Sequence, residues 1–350
     1  MSKIQKTSLY WLTVVVILLS GCAQKGLPGE TPTPSSTSVP IEIVTTLAAT
    51  DMAAIETTVP VLTETASAAA DAGECKRIVF AEFDGSNYDL FTVCPDGSQL
   101  VKITNDPADD VDPTWSADGT KIAFSSSRSG HFQIYLMAED GSGVTPLTAD
   151  FENLKPIWLP DGKHIAFRTD DGKGTFWWRV LDVETSELNT ITEPSFDFFF
   201  QTPAWSPDGQ RIAYMSLVEQ QERNDGSSQI HVKNVDGTND IALTNDTWAN
   251  FNPKWSPDGL KIAFLSERGG INAVYNLYVM NSDGTDVQQL TETGYPEDAV
   301  YSWSPDGRQI VIGNNTLFTG ISIIDLGSGT SHSLMEWTTP ANVTSPSWQP

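Results

Sequence analysis

The stretch that decides the fold is Trp-Ser-Pro-Asp-Gly, which occupies residues 205–209 and returns with small changes along the chain. Its five copies begin at Trp115, Trp158, Trp205, Trp255 and Trp303, and a shortened sixth copy, Trp348-Gln349-Pro350, ends the sequence. Neighbouring tryptophans are 43 to 50 residues apart. Self-similarity at a period of this length indicates a repeat architecture, so the repeat rather than local propensity decides the fold.

Each repeat has the same internal order of short β-type runs. The first run ends at the Trp, and the Asp-Gly turn leads to a second run such as KIAFLSE (261–267). A third run such as NLYVMNSDG (276–284) and a short fourth run, usually ending in Leu-Thr or Ile-Thr, follow. Asp-Gly supplies the positive φ angles that tight hairpins require. A Pro two residues before the Trp suits an inner edge strand. Four strands per repeat are typical of a propeller blade.

The first repeat lacks its Trp strand and begins with a run at Arg77, whereas residues 345–348 (SPSW) have the missing pattern. We therefore predict an all-β fold over residues 75–350: a six-bladed β-propeller closed by the C-terminal strand, which completes the first blade. Closure removes open sheet edges. A solenoid, the alternative, would need polar caps at its two ends.

The repeated pattern P-x-W-S-P-D-G-x-x-I-A-F, followed by I-Y-x-M-x-x-D-G and L-T, resembles the repeats of the TolB-type propeller family, which are also described as WD-repeat-like. The resemblance covers about residues 77–350. TolB itself has an N-terminal α/β domain before its propeller, and here we expect a leader and a tether in that place. Similar repeats form accessory domains of prolyl oligopeptidase-like enzymes, and we expect no hydrolase domain in this chain.

Residues 1–21 are predicted to be a lipoprotein signal peptide. Lys3 and Lys6 precede an apolar run of 11 residues, which is shorter than the roughly 20 residues of a membrane-spanning helix and suits a secretory leader. The end, Leu19-Ser20-Gly21-Cys22, resembles the bacterial lipobox, which implies cleavage before Cys22 and lipidation of its sulfur. An ordinary signal peptide with an incidental Cys22 is the alternative. Lipidation predicts an extracytoplasmic protein that meets the bacterial membrane through its anchor only.

Residues 22–74 are predicted to be a disordered, lipid-anchored tether, because this Thr/Ala/Pro-rich segment has no aromatic residue from which to build a core. The whole chain has 20 basic and 45 acidic residues, a net charge of -25. This balance argues against nucleic acid and anionic membrane surfaces as partners. We expect a monomer.

Cys75 and Cys94 flank the first predicted hairpin. A turn centred near Asp84 and Gly85 pairs positions whose numbers sum to about 169, as those of Cys75 and Cys94 do. A disulfide across the mouth of the hairpin is therefore geometrically plausible, and an exported location permits it. Two free thiols are the alternative.

Loops that join one blade to the next share a face of a propeller with the loops between second and third strands. In this sequence the inter-blade loops are rich in aromatic residues, carboxylates and amides, whereas the opposite turns are mostly Asp, Gly, Ser, Asn and Thr. Aromatic rings beside hydrogen-bonding groups suit sugar rings or protein hot spots. Packing between blades is the alternative role for any one ring. The candidate ligand-binding residues are Asp110, Asp112, Phe151, Asn153, Phe198, Phe199, Phe200, Trp248, Phe251, Asn252, Tyr295, Asp298 and Trp337.

Catalytic signals are weak. The sequence has no G-x-S-x-G, H-E-x-x-H or P-loop motif, and the acidic run at 106–112 lacks the spacing of an EF-hand. We therefore predict a non-catalytic protein, without cofactor or metal, that binds an envelope protein or a glycan. The alternative is an enzyme acting on polysaccharide or peptide, with acidic residues at the channel mouth. A third reading is an envelope scaffold with several weak partners.

Overall fold

The computed structural model describes residues 75–191, 202–217, 228–268, 275–292, 294–295, 299–313, 320–334 and 343–350. The predictions for the signal peptide, the tether and Cys22 lie outside these residues. The described ranges run through every predicted blade, with gaps of at most ten residues between them. Their strands form six four-stranded sheets. Hydrogen-bonded neighbours within each sheet are antiparallel.

The strands follow the repeat in order. Blade 1 contains β1 (Ile78–Phe83), β2 (Tyr88–Val93) and β3 (Val101–Lys102). Blade 2 contains β4 (Asp110–Trp115), β5 (Lys121–Ser126), β6 (Gln133–Ala138) and β7 (Thr145–Pro146). Blade 3 contains β8 (Glu152–Trp158), β9 (His164–Asp170), β10 (Phe176–Asp182) and β11 (Leu188–Thr190).

The second half repeats this arrangement. Blade 4 contains β12 (Ala204–Trp205), β13 (Arg211–Leu217), β14 (Ser228–Asn234) and β15 (Ile241–Ala242). Blade 5 contains β16 (Asn250–Trp255), β17 (Lys261–Ser266), β18 (Asn276–Asn281) and β19 (Gln288–Gln289). Blade 6 contains β20 (Tyr301–Trp303), β21 (Gln309–Gly313), β22 (Ile321–Asp325) and β23 (Ser331–Ser333), and β24 (Val343–Trp348) follows.

The first strand of each blade lies at one edge of its sheet, as the prolines predict. First strands also lie beside one another: β24 packs against β4 and β20, β4 against β8, and β12 against β16. The first strands therefore surround the propeller axis, and the short fourth strands form the outer rim.

The C-terminal strand closes the ring, which confirms the prediction. β24 pairs with β1, so that Ile78 lies opposite Trp348. Beyond the strand, the Gln349 N–H donates to the Arg77 carbonyl (2.7 Å), and the Gln349 side chain accepts the Arg77 N–H (3.0 Å). Val343 and Trp348 are buried in one apolar cluster with residues of blades 1 and 6. The two ends of the propeller thus share a single blade.

The Trp-Ser-Pro-Asp-Gly turn is held by its own side chains. The Ser206 hydroxyl donates to the Asp208 carboxylate (2.5 Å) and accepts the Arg211 N–H (2.9 Å). Gly209 adopts a φ of 69°, which glycine tolerates without strain. The hydrogen bond from Ser206, with others from the turn, lowers the pKa of Asp208. The same Ser–Asp pair recurs at Ser116–Asp118, Ser256–Asp258 and Ser304–Asp306.

Two of the repeated tryptophans join their blade to the one before it by a hydrogen bond. The Trp255 indole N–H donates to the Ala204 carbonyl of blade 4 (3.1 Å), and the Arg211 guanidinium lies 4.5 Å from the Trp255 ring centre. Trp303 makes the equivalent bond to the Lys254 carbonyl (3.1 Å). Because the indole also buries apolar surface, one side chain provides both packing and a fixed distance between blades. The second strands supply fully buried rings at Phe80, Phe124, Phe167 and Phe264.

A bulge interrupts the first strand before its proline. In β4 the register shifts between Val111 and Thr114, so two residues face one on β5. The residue before the proline has a φ of 51–55° in four blades, at Asp112, Lys155, Asn252 and Ser345. Some of these side chains reach a neighbouring blade: Ser345 Oγ donates to Asp112 Oδ1 (2.9 Å). We call these four residues the axial ring.

Cys75 and Cys94 form the predicted disulfide, with their Cα atoms 5.9 Å apart. The predicted position of the turn was wrong by about one residue. Paired residues of β1 and β2 have numbers that sum to 171, as in Ile78 opposite Val93, so the two cysteines are diagonal rather than directly opposite. A cross-link over 19 residues contributes about 3 kcal/mol to stability in the loop-closure model.

Candidate ligand-binding face

The inter-blade loops and the loops between second and third strands lie together, as expected. Asn153 N–H donates to the Phe132 carbonyl (2.8 Å), and Glu267 N–H donates to the Ala249 carbonyl (3.0 Å). Ala249 lies in an inter-blade loop and Asn153 directly follows one, at the start of β8, whereas Phe132 and Glu267 belong to hairpins between a second and a third strand. We call this side of the propeller the inter-blade-loop face.

Four inter-blade loops are fixed at their start by the Thr of the Leu-Thr or Ile-Thr pair. Thr148 Oγ1 accepts the Ile134 N–H (2.9 Å) and donates to Gln133 Oε1 (2.7 Å). Thr104, Thr244 and Thr291 accept a backbone N–H of the third strand in the same way (2.9, 2.9 and 3.0 Å). This recurring bond explains why the fourth run ends in Thr: its hydroxyl sets where the loop leaves the blade.

Arginines from the second-to-third-strand hairpins also bind the inter-blade connections. Arg128 binds both oxygens of Asp110 (2.9 and 3.0 Å), and Arg268 binds Asp246. Asp110 is fully buried, and burial raises its pKa despite the hydrogen bonds from Ser126 and Arg128. The Asp110 carboxylate is therefore held inside blade 2.

The candidate residues fall into three groups. Phe151 and Trp248 are exposed, and Asp112 and Asn252 are partly exposed. Four others are buried: Asp110, Asn153, Phe251 and Tyr295. Phe198, Phe199, Phe200, Asp298 and Trp337 lie outside the described residues. The buried side chains cannot contact a ligand directly. Of the candidates that the structure describes, Phe151, Trp248, Asp112 and Asn252 therefore remain available at the surface.

Phe151 is the most exposed aromatic ring of the described loops, at 52%. Its edge-to-face partner is Trp177 of β10, with ring centres 5.3 Å apart, and the Arg179 guanidinium lies 5.8 Å from the Phe151 ring centre. Arg179 in turn binds both oxygens of Asp150 (2.9 and 2.8 Å). Phe151 also has a φ of 52°, which is unusual for a bulky residue and costs free energy unless its surroundings impose it. The loop thus holds an apolar ring in the solvent.

Trp248 occupies the equivalent position in blade 5. Phe151 and Trp248 each stand five residues before the first-strand proline, and so does Phe198 in the sequence of blade 4. Trp248 is 40% exposed, although its backbone is fixed: its N–H donates to Asp246 (3.0 Å) and its carbonyl accepts from Asn250 (3.1 Å). Blades 3 and 5 therefore present exposed rings at the same structural position.

Asp112 and Asn252 belong to the axial ring. Asp112 accepts a hydrogen bond from Ser345 of blade 1, and its charge acts on the buried Arg168 of blade 3. Asn252 Nδ2 donates to the Ala299 carbonyl (3.1 Å), and its own carbonyl accepts the Tyr301 hydroxyl (2.5 Å). Both side chains thus bridge blades and remain partly exposed near the axis.

Sequence reasoning missed three residues of this region: Trp177, Lys155 and Lys254. Trp177 lies in the run TFWWRV, whose sequence indicates only a third strand. Both lysines adjoin a first-strand proline, a position that the repeat itself marks. Among the described residues, no group of three or more His, Cys, Asp or Glu is placed to hold a metal ion. Within the same ranges, no helix has the length and apolarity needed to cross a bilayer.

The family follows from a sequence comparison. A family model described as the TolB beta propeller domain matches residues 45–199 and 194–350. The chain belongs to the TolB β-propeller family. The match covers more than half of the chain and includes all six blades.

Two curated relatives of this TolB-type propeller illustrate its range. Tol-Pal system protein TolB of Anaeromyxobacter dehalogenans is 36% identical over 122 residues, which are 35% of this chain and 28% of that protein. Uncharacterized peptidase YuxL of Bacillus subtilis is 39% identical over 66 residues, 18% of this chain and 10% of that protein. The chain therefore matches less than a third of the length of either relative.

Among solved structures, TolB from Acinetobacter baumannii superimposes with a TM-score of 0.66 at 24% identity. The match covers 79% of this chain and 67% of that one. This likeness shows the TolB-type propeller fold.

Proposed function

We propose that the chain is a non-catalytic, extracytoplasmic, monomeric protein, anchored to the membrane through lipidated Cys22, that binds an envelope protein or a glycan with its inter-blade-loop face. The exposure of Phe151 and Trp248 at equivalent positions carries the proposal. Burying apolar surface is worth about 25 cal/mol per Å², and aromatic side chains dominate the energetics of many interfaces. Rings held in solvent by an ordered backbone are therefore suited to a partner.

A protein partner has support from the relatives. Several matched proteins bear the name Tol-Pal system protein TolB, which places them in a multi-component system. The same exposed rings also suit a glycan, because the faces of aromatic rings stack on sugar rings.

We favour binding over catalysis for two reasons. Asp110, an acidic candidate near the channel mouth, is buried and bound by Arg128, so it is not free to act on a substrate. The match to the peptidase YuxL is confined to 66 residues, 10% of that protein.

The binding face is tested by capture with the full chain, purified in mild detergent and immobilised. Envelope proteins and cell-wall glycans are passed over wild type and over the double variant Phe151→Ala, Trp248→Ala. We expect wild type to retain a discrete species. We expect the double variant to lose it, since removing each hot-spot ring costs about 2 kcal/mol or more, roughly 30-fold in Kd. Phe251 is left intact because it is buried against Tyr275.

The matched control is the double variant Val235→Ala, Leu260→Ala. These apolar side chains are 49% and 65% exposed, in turns on the opposite face. The control should retain the species as wild type does. Equal retention by all three proteins, with all three folded by circular dichroism, would exclude the inter-blade-loop face as the binding surface.

The anchor is tested separately by fractionation. Cys22→Ser should move the protein from the membrane fraction to the soluble fraction and abolish labelling by radioactive palmitate, because each buried CH₂ of an acyl chain contributes about 0.8 kcal/mol to membrane binding. The tether variant Ser35→Ala should remain in the membrane fraction. A Cys22→Ser protein that sediments with membranes like wild type would contradict the anchor.

A further inference from the structure

The loop that carries the exposed Phe151 ring is held by two buried amide side chains. They are Gln133, at the start of the third strand of blade 2, and Asn153, near the start of the first strand of blade 3. Asn153 Nδ2 donates to Gln133 Oε1 (2.9 Å), so the pair joins the two blades between which the loop passes. We call such a Gln–Asn pair an amide clamp.

This clamp acts on the backbone of the ring residue itself. Gln133 Nε2 donates to the Phe151 carbonyl (2.7 Å) and to the Asp150 carbonyl (3.4 Å). Asn153 Nδ2 also donates to the Asp150 carbonyl. These carbonyls belong to the two peptide groups that flank the Phe151 Cα, and the orientation of those groups sets its φ and ψ. The clamp thus imposes the φ of 52°, which a bulky residue keeps only where its surroundings require it.

The loop between blades 4 and 5 has the same clamp, formed by the buried Gln229 and Asn250. Asn250 Nδ2 donates to Gln229 Oε1 (3.4 Å) and to the Trp248 carbonyl (3.1 Å). Gln229 Nε2 donates to the Trp248 carbonyl (3.3 Å) and to the Asp246 carbonyl (2.9 Å). In both loops, therefore, the clamp holds the carbonyl of the residue whose aromatic ring is exposed.

The loop between blades 1 and 2 lacks both the ring and the clamp. The residue at the ring position is Ala108, and the aligned repeats place Asp89 and Asp110 at the two clamp positions. A carboxylate has no N–H to donate, and the carbonyl of Ala108 accepts from a single amide, that of Asn87 (3.2 Å). Among the three inter-blade loops that the structure describes without a gap, the Gln–Asn clamp thus occurs in the two that present a ring.

We propose that the two amide clamps consist of positioning residues of the binding face, which keep Phe151 and Trp248 in the solvent for the ligand. This inference rests on the proposed function and adds to it side chains that do not touch the ligand. An apolar ring gains free energy by leaving water, so a loop that is free to move would fold its ring back onto the propeller. A clamped loop keeps the ring available, and its partner binds without the entropic cost of ordering the loop.

Hydrogen–deuterium exchange of the full chain, followed by mass spectrometry of its peptides, tests the clamp without any ligand. Gln229→Met keeps the length of the side chain and removes its amide. We expect the backbone amides of residues 244–249 to exchange at least tenfold faster than in wild type, because the buried hydrogen bonds that hold this loop closed are lost. The second and third strands of blade 5 should exchange as in wild type.

The matched control is Gln133→Met, the same change at the equivalent position of blade 2. It should leave residues 244–249 unchanged and accelerate exchange of residues 147–151 instead. If Gln229→Met does not fold, Gln133→Met tests the clamp on the loop of Phe151 by the same measurement.

Capture from envelope extract then tests the link to binding, at 10 °C and with each variant shown to be folded by circular dichroism. The double variant Gln133→Met, Gln229→Met keeps both rings. We expect it to retain at least tenfold less of the species that wild type retains. Gln288→Met, which changes an exposed glutamine of the outer strand β19, should retain as much as wild type does. Amides with a structural role alone would lower the urea midpoint and leave retention unchanged.

Two results would overturn the positioning role: exchange of residues 244–249 at the wild-type rate in Gln229→Met, or unchanged retention by the double glutamine variant. Failure of the proposed function is distinguishable from these. If the ring variant Phe151→Ala, Trp248→Ala retains the species as wild type does, the binding face itself falls. If the ring variant loses the species and the double glutamine variant retains it, the binding face stands and the positioning role falls.

Discussion

A chain that lacks residues 343–350 should not fold cooperatively. The deletion removes β24, the first strand of blade 1, and leaves β1 with an open edge. It also exposes the apolar cluster that Val343 and Trp348 cover over Ile78 and Phe80. Losing a buried Trp costs about 3–5 kcal/mol and a buried Val about 1.5–3 kcal/mol. The total is comparable with the about 5–15 kcal/mol that stabilises a typical domain.

The measurement is urea unfolding of the full chain and of the truncated chain, followed by near-ultraviolet circular dichroism. We expect a sharp transition for the full chain and a broad or absent one for the truncated chain. A synthetic peptide of residues 343–350 should restore the transition by adding the missing strand, whereas the same peptide with Trp348→Ala should not. A truncated chain that unfolds at the urea concentration of the full chain would refute closure as the source of stability.

The second large effect is expected at Trp255. Trp255→Ala removes a buried indole from the contact between blades 4 and 5, where Ala213, Ile230 and Val232 of blade 4 complete the cluster. The expected loss is about 3–5 kcal/mol in the free energy of unfolding. Thermal and urea denaturation measure it.

The indole hydrogen bond can be separated from the packing by comparing two Phe substitutions. Trp255→Phe leaves the Ala204 carbonyl without its indole donor, whereas Trp115→Phe removes a buried N–H that has no hydrogen-bond partner in the described part of the chain. We expect Trp255→Phe to cost about 1 kcal/mol more than Trp115→Phe. Equal costs would show that the bond contributes nothing beyond packing.

The architecture could be predicted because one repeat unit carries several independent signals. Trp, Asp-Gly and Leu-Thr mark the end of a first strand, a tight turn and the end of a fourth strand. In the structure, the Trp contacts the preceding blade, the Asp carboxylate holds the turn, and the Thr hydroxyl fixes the start of the inter-blade loop. The first repeat lacks its Trp strand, and Trp348 belongs to an extra strand at the other end of the repeats. Together the two incomplete units make one blade, and this predicted that the ring closes through the C-terminal strand.

The candidate site was less predictable, because composition does not separate a loop from the start of a strand. Asp110 and Asn250 look like loop residues, but they begin β4 and β16 and are fully buried. Asn153 accepts a hydrogen bond from Arg179 of blade 3 and donates one to Gln133 of blade 2, so its amide joins two blades and is not free for a ligand. Phe251 follows an exposed Trp248 by three residues, yet its strand position directs it onto Tyr275.

The disulfide changes how the propeller responds to mechanical tension. β1 lies between β24 and β2, so a pull along the chain at Cys75 would otherwise peel away the strand that holds both ladders of blade 1. Because Cys75 is bonded to Cys94, just beyond β2, the same pull is transmitted to two strands at once. The hairpin must then be sheared out as a unit. If the proposed tether anchored at Cys22 carries force to the propeller, that force reaches the covalent cross-link in the blade where the ring is closed.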